Sequence, residues 1–340
     1  MKRKLFSIDT QLYKVTGVEK VMLDIHHAVR DDYEAKIVGT IPYKEVNKNH
    51  HITCEEYIKF RNPFMFYNSI VIVHERRLLL LFWMLNVFFF QKIKLVYVHH
   101  NLFYNHVRTT ILPRTIVAIA DKGIENLVTV FKAPAENIHK IYNCVQDEYS
   151  VSHRINGNNI NLLLPGRINS QKQQIEIVKQ LKGKLDKHVR ILFAGDGPNL
   201  DELSRLCKNE SQFEVLGFRS DVKKLMQNSN YVFLYSVHEG LPITLIEATM
   251  LSVPIICSDV GGNPEICHDG KNGWVLNDWD ALIKTLNNLP NVSQEDYRRM
   301  CNESRRIYEE NFTSDIFKEK YLKPVSVLLK AGDKSMELRN

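Results

Sequence analysis

Short apolar runs alternate with stretches of helical spacing along most of the chain. In residues 1–150, Lys4 to Ile8, Lys36 to Gly39, Ser69 to Val73, Leu95 to Val98 and Thr115 to Ile119 are apolar and β-branched or aromatic, and predict strands. Val18, Val21, Met22, Ile25, Ala28 and Val29 share one helical face that starts just past Gly17. Residues 121–131 and Ile138 to Tyr142 close this half as helix, turn and strand. The strands are apolar almost throughout, with no alternation. That is the pattern of strands covered on both faces, as in a parallel sheet with crossover helices.

Between Gln146 and Asn161 the chain turns polar, and Asn156-Gly157-Asn158-Asn159 signals a turn or linker. A strand-helix unit then repeats six times, with strands expected near 161–165, 190–194, 213–216, 231–235, 254–257 and 273–276. Residues 292–335 are helical in pattern, with Pro324 as a break or kink. The expected organisation is a Rossmann-like domain over 1–150, a second Rossmann-like domain over 151–310, and a helical segment over 311–340 packing back toward the first domain. The fold class is α/β, two doubly wound parallel sheets, whose ligands bind at the carboxyl ends of the strands.

A length of 340 residues, 44% hydrophobic and 25% charged, suits two ordinary globular domains and excludes disordered and fibrous classes. The longest apolar stretch, Leu78 to Phe90, is broken by Asn86 and falls short of the roughly 18 residues a membrane span needs. Leu5 to Ile8 is too short for the apolar part of a signal peptide, and Asp9 ends it, so no export signal is read. Six cysteines without a C-x-x-C pair or zinc-like histidine spacing indicate free thiols in a reducing cytoplasm. The net charge of +6 is uneven: 20 Lys and Arg face 15 Asp and Glu in residues 1–150, which carry most of the excess. The basic residues are dispersed, without an aromatic-basic platform, so nucleic acid is not an expected partner.

Chemistry concentrates where strands end. Ser236-Val-His-Glu-Gly-Leu-Pro-Ile-Thr-Leu-Ile-Glu247 follows the strand near 231–235 and runs into a helix, with Pro242 near its first position. N–H groups around Gly240, Leu241 and Ile243 are then available to an anion such as a phosphate. Glu247 lies roughly 9 Å into that helix, counting from Leu241 at 1.5 Å per residue. A diphosphate between a ribose and a sugar fits this spacing, one carboxylate at each end. Two plainer readings stand beside it: a cap plus a solvated glutamate, and a glycosidase pair with carboxyl groups about 5–10 Å apart. Arg167 and Lys172 follow the first strand of the same half, as cations for a diphosphate leaving group. Gly195-Asp-Gly-Pro198 lacks a third glycine and reads as a structural turn. Gly217 and Phe218 are placed to frame a base, and Gly261-Gly262 permits close backbone approach.

Taken together, these segments resemble glycosyltransferase family 4, retaining nucleotide-sugar-dependent enzymes of the GT-B fold. The likeness rests on G-R-x4-K at Gly166 to Lys172, A-G-D-G-P at 194–198, L-G-F-R at 216–219, E-x7-E at 239–247, G-G-x-P-E at 261–265 and D-G-x-N-G at 269–273. The first half resembles the family through Thr16-Gly17-Val18-Glu19-Lys20-Val21, Val98-His99-His100-Asn101, and Ala118 to Asp121 leading to Ile141-Tyr142-Asn143. It departs in having one glycine, Gly17, where a pair is common, and Cys144 where a glycine often follows the asparagine.

The resemblance implies two Rossmann-like domains facing each other across a cleft, the one over 1–150 on the acceptor side and the one over 151–310 binding the nucleotide sugar. It makes Glu247 the ribose-binding carboxylate, Glu239 the carboxylate on the transferred sugar, and Arg167 with Lys172 the pair that holds the departing diphosphate. His99, or His100 if the register is off by one, is the histidine beside the donor sugar; the plainer reading is a polar cap on a strand end. Gly17, Gly240, Leu241, Pro242, Ile243, Gly217 and Phe218 complete the donor site. With no Asp-x-Asp motif near the expected phosphate site, no metal and no cofactor are expected. The implied function is sugar transfer from a nucleoside-diphosphate donor to a glycan or lipid-linked acceptor, in cell-surface polysaccharide or glycolipid synthesis. A nucleotide-sugar epimerase or hydrolase, and a non-catalytic sugar-nucleotide-binding protein, are the alternatives.

Leu78 to Phe90 predicts a helix apolar all round, flanked by Arg76, Arg77, Lys92 and Lys94. It is either a crossover helix buried between strands, or one whose outer face lies on an anionic leaflet, with the protein peripheral at the inner face of the membrane.

Overall fold

The computed structural model describes residues 2–149 and 159–323. The chain divides into two compact units, one formed by Met1–Cys144 with Ser314–Asn340 and the other by Val145–Thr313. The second unit starts earlier than the polar stretch suggests because side chains anchor that stretch. Val145 N–H donates to the Phe312 carbonyl at 3.1 Å, the Tyr308 hydroxyl donates to the Val145 carbonyl at 2.9 Å, and Arg305 pairs with Asp147 at 2.5 Å. The turn signal at Asn156 to Asn158, and Pro324 with the residues after it, lie outside the described residues.

The first unit runs β1 (Lys4–Ile8), α1 (Gly17–Val29), β2 (Glu34–Gly39), β3 (Tyr57–Lys59), β4 (Ile70–Val73), α2 (Leu79–Phe88), β5 (Lys94–His99), β6 (Thr115–Ala118), α3 (Asp121–Thr129) and β7 (Ile138–Lys140). Its strands form a parallel sheet in the order β3-β2-β1-β4-β5-β6-β7. β4 and β6 are buried at every position, which is why their sequences do not alternate. β3 has no counterpart among the expected strands: it is a three-residue edge strand with only Tyr57 fully buried, too short to show a pattern. A helix over 314–323 belongs to this unit.

The second unit runs β8 (Ile160–Pro165), α4 (Gln174–Leu181), β9 (Val189–Ala194), α5 (Leu200–Cys207), β10 (Phe213–Gly217), α6 (Val222–Gln227), β11 (Tyr231–Leu234), α7 (Ile243–Met250), β12 (Ile255–Ser258), α8 (Asn263–Ile266), β13 (Gly273–Leu276), α9 (Trp279–Asn288) and α10 (Gln294–Asn311). The sheet order is β10-β9-β8-β11-β12-β13, and its pairings are parallel. Numbered within the unit this is 3-2-1-4-5-6, the Rossmann order. Its core includes Leu162, Leu164, Phe193, Tyr231 and Phe233 from the strands and Ile177, Leu203 and Leu286 from the covering helices. α10 adds Tyr297, Met300, Cys301, Ser304, Ile307 and Tyr308, the recurrence of one helical face.

Candidate active site

In each sheet the order reverses beside the first strand, between β1 and β4 and between β8 and β11. Chains leaving two strands at such a reversal turn to opposite faces of the sheet, which opens a crevice at the carboxyl ends.

In the second unit the crevice is bounded by the loop after β8, Gly166 to Gln173, and the loop after β11, Tyr235 to Pro242. Three bonds stitch them together. Val237 N–H donates to the Gln171 carbonyl at 3.0 Å, Gln171 Nε2 to the His238 carbonyl at 2.8 Å, and Gln173 Nε2 to the Tyr235 carbonyl at 3.2 Å. Asn169 Oδ1 accepts the Lys172 N–H at 3.1 Å and sets the turn that presents this lysine. Lys172 Nζ then reaches Glu239 Oε1 at 2.6 Å, with both side chains largely buried. The structure therefore joins two residues sixty-seven positions apart that sequence spacing could only place on separate strand ends.

Neighbouring turns hold this pair from behind. Gly261 has a φ of +55°, and a Cβ there would run into the Glu239 carbonyl, so only glycine lets the loop after β12 pass under Glu239. Gly262 N–H donates to the Gly240 carbonyl at 2.6 Å. Ser258 Oγ accepts the Ser236 N–H at 3.0 Å and donates to the Ser236 carbonyl at 2.8 Å, fixing the start of the loop. Gly195 plays the matching part on the other side, where a Cβ would meet the Gly166 carbonyl. The Gly195 to Pro198 segment is thus the structural turn expected of it.

α7 begins later than the position of Pro242 suggests. The Leu245 N–H donates to the Pro242 carbonyl at 3.0 Å, and Pro242, at ψ 116°, is the N-cap, outside the helix. Glu247 is therefore about 6 Å into the helix, and Leu241 and Pro242 belong to the approach loop. Among the described residues, the N–H groups of Ile243 and Thr244 take no acceptor, and no side chain caps the helix. They present the positive end of a helix at the crevice. Arg167, in the loop after β8, is exposed, with no carboxylate partner among the described residues. Gly217 adopts φ +66° at the end of β10, and Phe218 is 75% exposed.

The first unit's crevice differs. Gly17 opens α1 behind a capping box of Thr16 and Glu19. Asp9, directly after β1, is 1% exposed, and its carboxyl is pushed up to about 7, first by burial and further by Glu75 and Glu19. Glu75 accepts the Thr10 N–H at 2.5 Å and pairs with Arg77. Sequence reasoning passed over Asp9 and Glu75; the available signal was a carboxylate immediately after an apolar strand. Gln171, Gln173 and Ser258 left no such signal, because their role depends on which loop lies opposite.

His99 points into the first unit's interior. Nδ1 lies 3.2 Å from the Tyr97 hydroxyl and Nε2 3.1 Å from Asn126 Oδ1, with Phe103 and Phe131 edge-on. Burial lowers its pKa to about 4. His100, the alternative, is also buried, stacked on His74 with ring nitrogens 3.1 Å apart. Both are buried polar side chains at the carboxyl end of β5.

Residues 145–307 match the family described as glycosyl transferases group 1. The group 1 match coincides with the second unit and contains the Lys172–Glu239 crevice. The chain is 31% identical over 126 residues to the putative glycosyltransferase EpsD of Bacillus subtilis, covering 35% of this chain and 33% of EpsD. It is 25% identical over 131 residues to the UDP-Gal:alpha-D-GlcNAc-diphosphoundecaprenol alpha-1,3-galactosyltransferase of Escherichia coli, covering 36% of this chain and 34% of that one. The chain thus spans about a third of the length of these curated relatives. Anabaena Alr3699/HepE, solved in complex with UDP, superposes with a TM-score of 0.83 at 18% identity, over 96% of this chain and 100% of that one. The lipopolysaccharide outer core galactosyltransferase WaaB superposes with a TM-score of 0.79 at 18% identity, over 95% and 99%. With two Rossmann-ordered sheets, the fold is GT-B.

Proposed function

We propose that this protein is a retaining glycosyltransferase that moves a hexosyl group from a nucleoside-diphosphate donor to a glycan or lipid-linked acceptor, in cell-surface polysaccharide or glycolipid synthesis. The observation that carries this reading is the Lys172–Glu239 contact of 2.6 Å at the second unit's strand-order reversal, in the loop that leads to the uncapped start of α7. A phosphate seated at such a helix end meets oriented N–H groups, and Lys172 and Arg167 add fixed positive charge where the leaving diphosphate gains negative charge. This supplies without a metal ion the stabilisation that a divalent cation gives elsewhere. Glu239, held by Lys172, accepts hydrogen bonds from hydroxyls of the transferred sugar. Glu247 takes the ribose, and Gly217 with Phe218 frames the base.

In the proposed step the bond from the anomeric carbon to the diphosphate oxygen breaks, and the acceptor oxygen bonds to the same face. The leaving phosphate oxygen takes the acceptor's proton. His99 is assigned a positioning role: Asn126, which it orients, holds the Phe103 backbone through both its N–H and its carbonyl. The acceptor side falls to the first unit, and the protein works at the cytoplasmic face of a membrane. A known activity in the relatives supports this, since the Escherichia coli protein is named for a diphosphoundecaprenol-linked substrate.

Incubation with UDP-, GDP- and ADP-sugars, with and without membrane lipid extract and with EDTA throughout, tests the reading. Release of one nucleoside diphosphate that requires the extract supports transfer. Release without any acceptor identifies a hydrolase instead, and no release with any combination contradicts the assignment.

A further inference from the structure

α2 has ten residues, Leu79 to Phe88, and packs on the first unit's sheet through Leu79 and Phe82. It is the crossover helix between β4 and β5, yet it is apolar on its outer face as well. Leu80, Leu81, Trp83, Met84, Val87 and Phe88 are all more than 40% exposed. A helix with this composition on both faces is normally covered on both, and an exposed apolar patch of this kind marks an interaction site.

The end of α2 is built to present the patch. Phe90 is 86% exposed and has a φ of +50°, a conformation bulky side chains rarely adopt. Asn86, the one polar residue in the apolar run, holds that turn. Its Oδ1 accepts the Ile93 N–H at 2.8 Å, its Nδ2 donates to Gln91 Oε1 at 3.1 Å, and its carbonyl accepts the Gln91 N–H at 2.8 Å. Phe88 and Phe89 meet Phe64 edge-on at 6.2 and 5.5 Å, and Phe64 and Tyr67 are exposed in turn. Together these aromatics line an open apolar groove of about 600 Å³. The strained turn gains nothing for the unit's own core, since Phe90 is outside it.

The charge around the patch selects its occupant. From Tyr57 to Ala120 the only acidic residue is Glu75, against eight basic ones: Lys59, Arg61, Arg76, Arg77, Lys92, Lys94, Arg108 and Arg114. Glu75 is buried and spent on Thr10 and Arg77. Arg61 and Lys92 are exposed and within three residues of Phe64 and Phe90. A second copy of this chain would bring the same positive rim against it, whereas an anionic bilayer offers both apolar depth and negative charge. At 1.5 Å per residue α2 is about 15 Å long, half a hydrocarbon core, and no helix among the described residues is long and apolar enough to cross a membrane.

We propose that the outer face of α2 and the Phe64–Phe90 aromatic tip dock on a leaflet rich in anionic lipid, with the helix lying in the interface. This deepens the reading of a lipid-linked acceptor and rests on it for purpose, but the binding itself needs neither donor nor acceptor.

The test is co-sedimentation of the full chain with phosphatidylcholine vesicles, with and without phosphatidylglycerol, in the absence of any sugar nucleotide. Binding at least tenfold tighter to the anionic vesicles, weakened about tenfold between 0.05 and 0.5 M salt as expected for screened charges, supports the proposal. A Phe88→Ser/Phe90→Ser double variant should lose at least tenfold in binding while melting at the wild-type temperature. An Arg61→Glu/Lys92→Glu variant should lose the preference for anionic lipid. A vesicle-induced blue shift of tryptophan emission should disappear in Trp83→Phe. Absence of vesicle binding, equal binding by the aromatic variant, or self-association that this variant abolishes without any vesicle binding would each overturn it. If vesicles are not bound but nucleoside diphosphate is still released with extract, the docking face fails and the transferase stands; vesicle binding without transfer gives the reverse.

Discussion

Lys172 and Glu239 form an ion pair at 2.6 Å in the second unit, with side-chain exposures of 15% and 8%. So little solvent reaches either group that removing one partner leaves the other poorly compensated. Lys172→Met should cost about 1–3 kcal/mol of the unit's stability and about 10²–10³-fold in kcat if the ammonium stabilises the leaving phosphate. Glu239→Gln should lose comparable activity. The double variant Lys172→Met/Glu239→Gln should recover most of the stability and none of the activity. Chemical denaturation set beside nucleoside diphosphate release checks this, and recovery of activity with stability would reduce the pair to a structural contact.

Gly261 and Gly183 make a controlled comparison. Both have positive φ, +55° and +71°, but a Cβ at Gly183 meets nothing within 4 Å while one at Gly261 collides with the Glu239 carbonyl. Gly183→Ala should cost about 1 kcal/mol from backbone strain alone and leave kcat unchanged. Gly261→Ala should cost more and should also lower kcat at least tenfold by displacing Glu239. Equal kinetic effects of the two substitutions would detach the β12 loop from the site.

Asp9 makes the first unit's stability depend on pH. Its carboxyl rises from 3.8 to about 7 on folding, mainly through burial, so the folded chain holds this proton more tightly than the unfolded one. The contribution is fully present below about pH 4 and is lost as pH rises through about 7. Asp9→Asn should therefore melt higher than wild type at pH 8, by several degrees at about 2–4 °C per kcal/mol, and nearly level with it at pH 4. Parallel melting curves at the two pH values would refute the protonated Asp9.

His99 should behave as a structural residue. Burial keeps its imidazole neutral above about pH 5, with the Asn126 contact opposing that shift. His99→Phe leaves the Tyr97 hydroxyl and Asn126 without their ring-nitrogen partners, and should cost about 1–3 kcal/mol. The shape of the pH–rate profile between pH 5 and 8 should not change. Loss of a profile limb in this variant would restore a direct catalytic role.

What the sequence made legible was whatever local pattern controls. Among the described residues, twelve of the thirteen strands lie where apolar runs predicted them, because strands buried on both faces need such runs. The exception, β3, buries a single tyrosine fully and pairs on one edge only. Glu239 and Lys172 were visible as strand-end residues, but their contact was not, since it depends on β8 and β11 being neighbours across the order reversal. Asn86 looked like an interruption of an apolar helix, and only the fold shows it bonded to Ile93 and Gln91. The boundary near Val145 was masked by polar residues whose partners, Arg305 and Tyr308, are more than 150 positions away.

Sugar transfer in the Lys172–Glu239 crevice has one decisive test. The most direct measurement is single-turnover release of nucleoside diphosphate from the preferred donor, in the presence of acceptor extract, by wild type and Glu239→Gln at matched folding and donor occupancy. The Glu239→Gln rate should fall at least a hundredfold with donor still bound. A wild-type rate in that variant would contradict it.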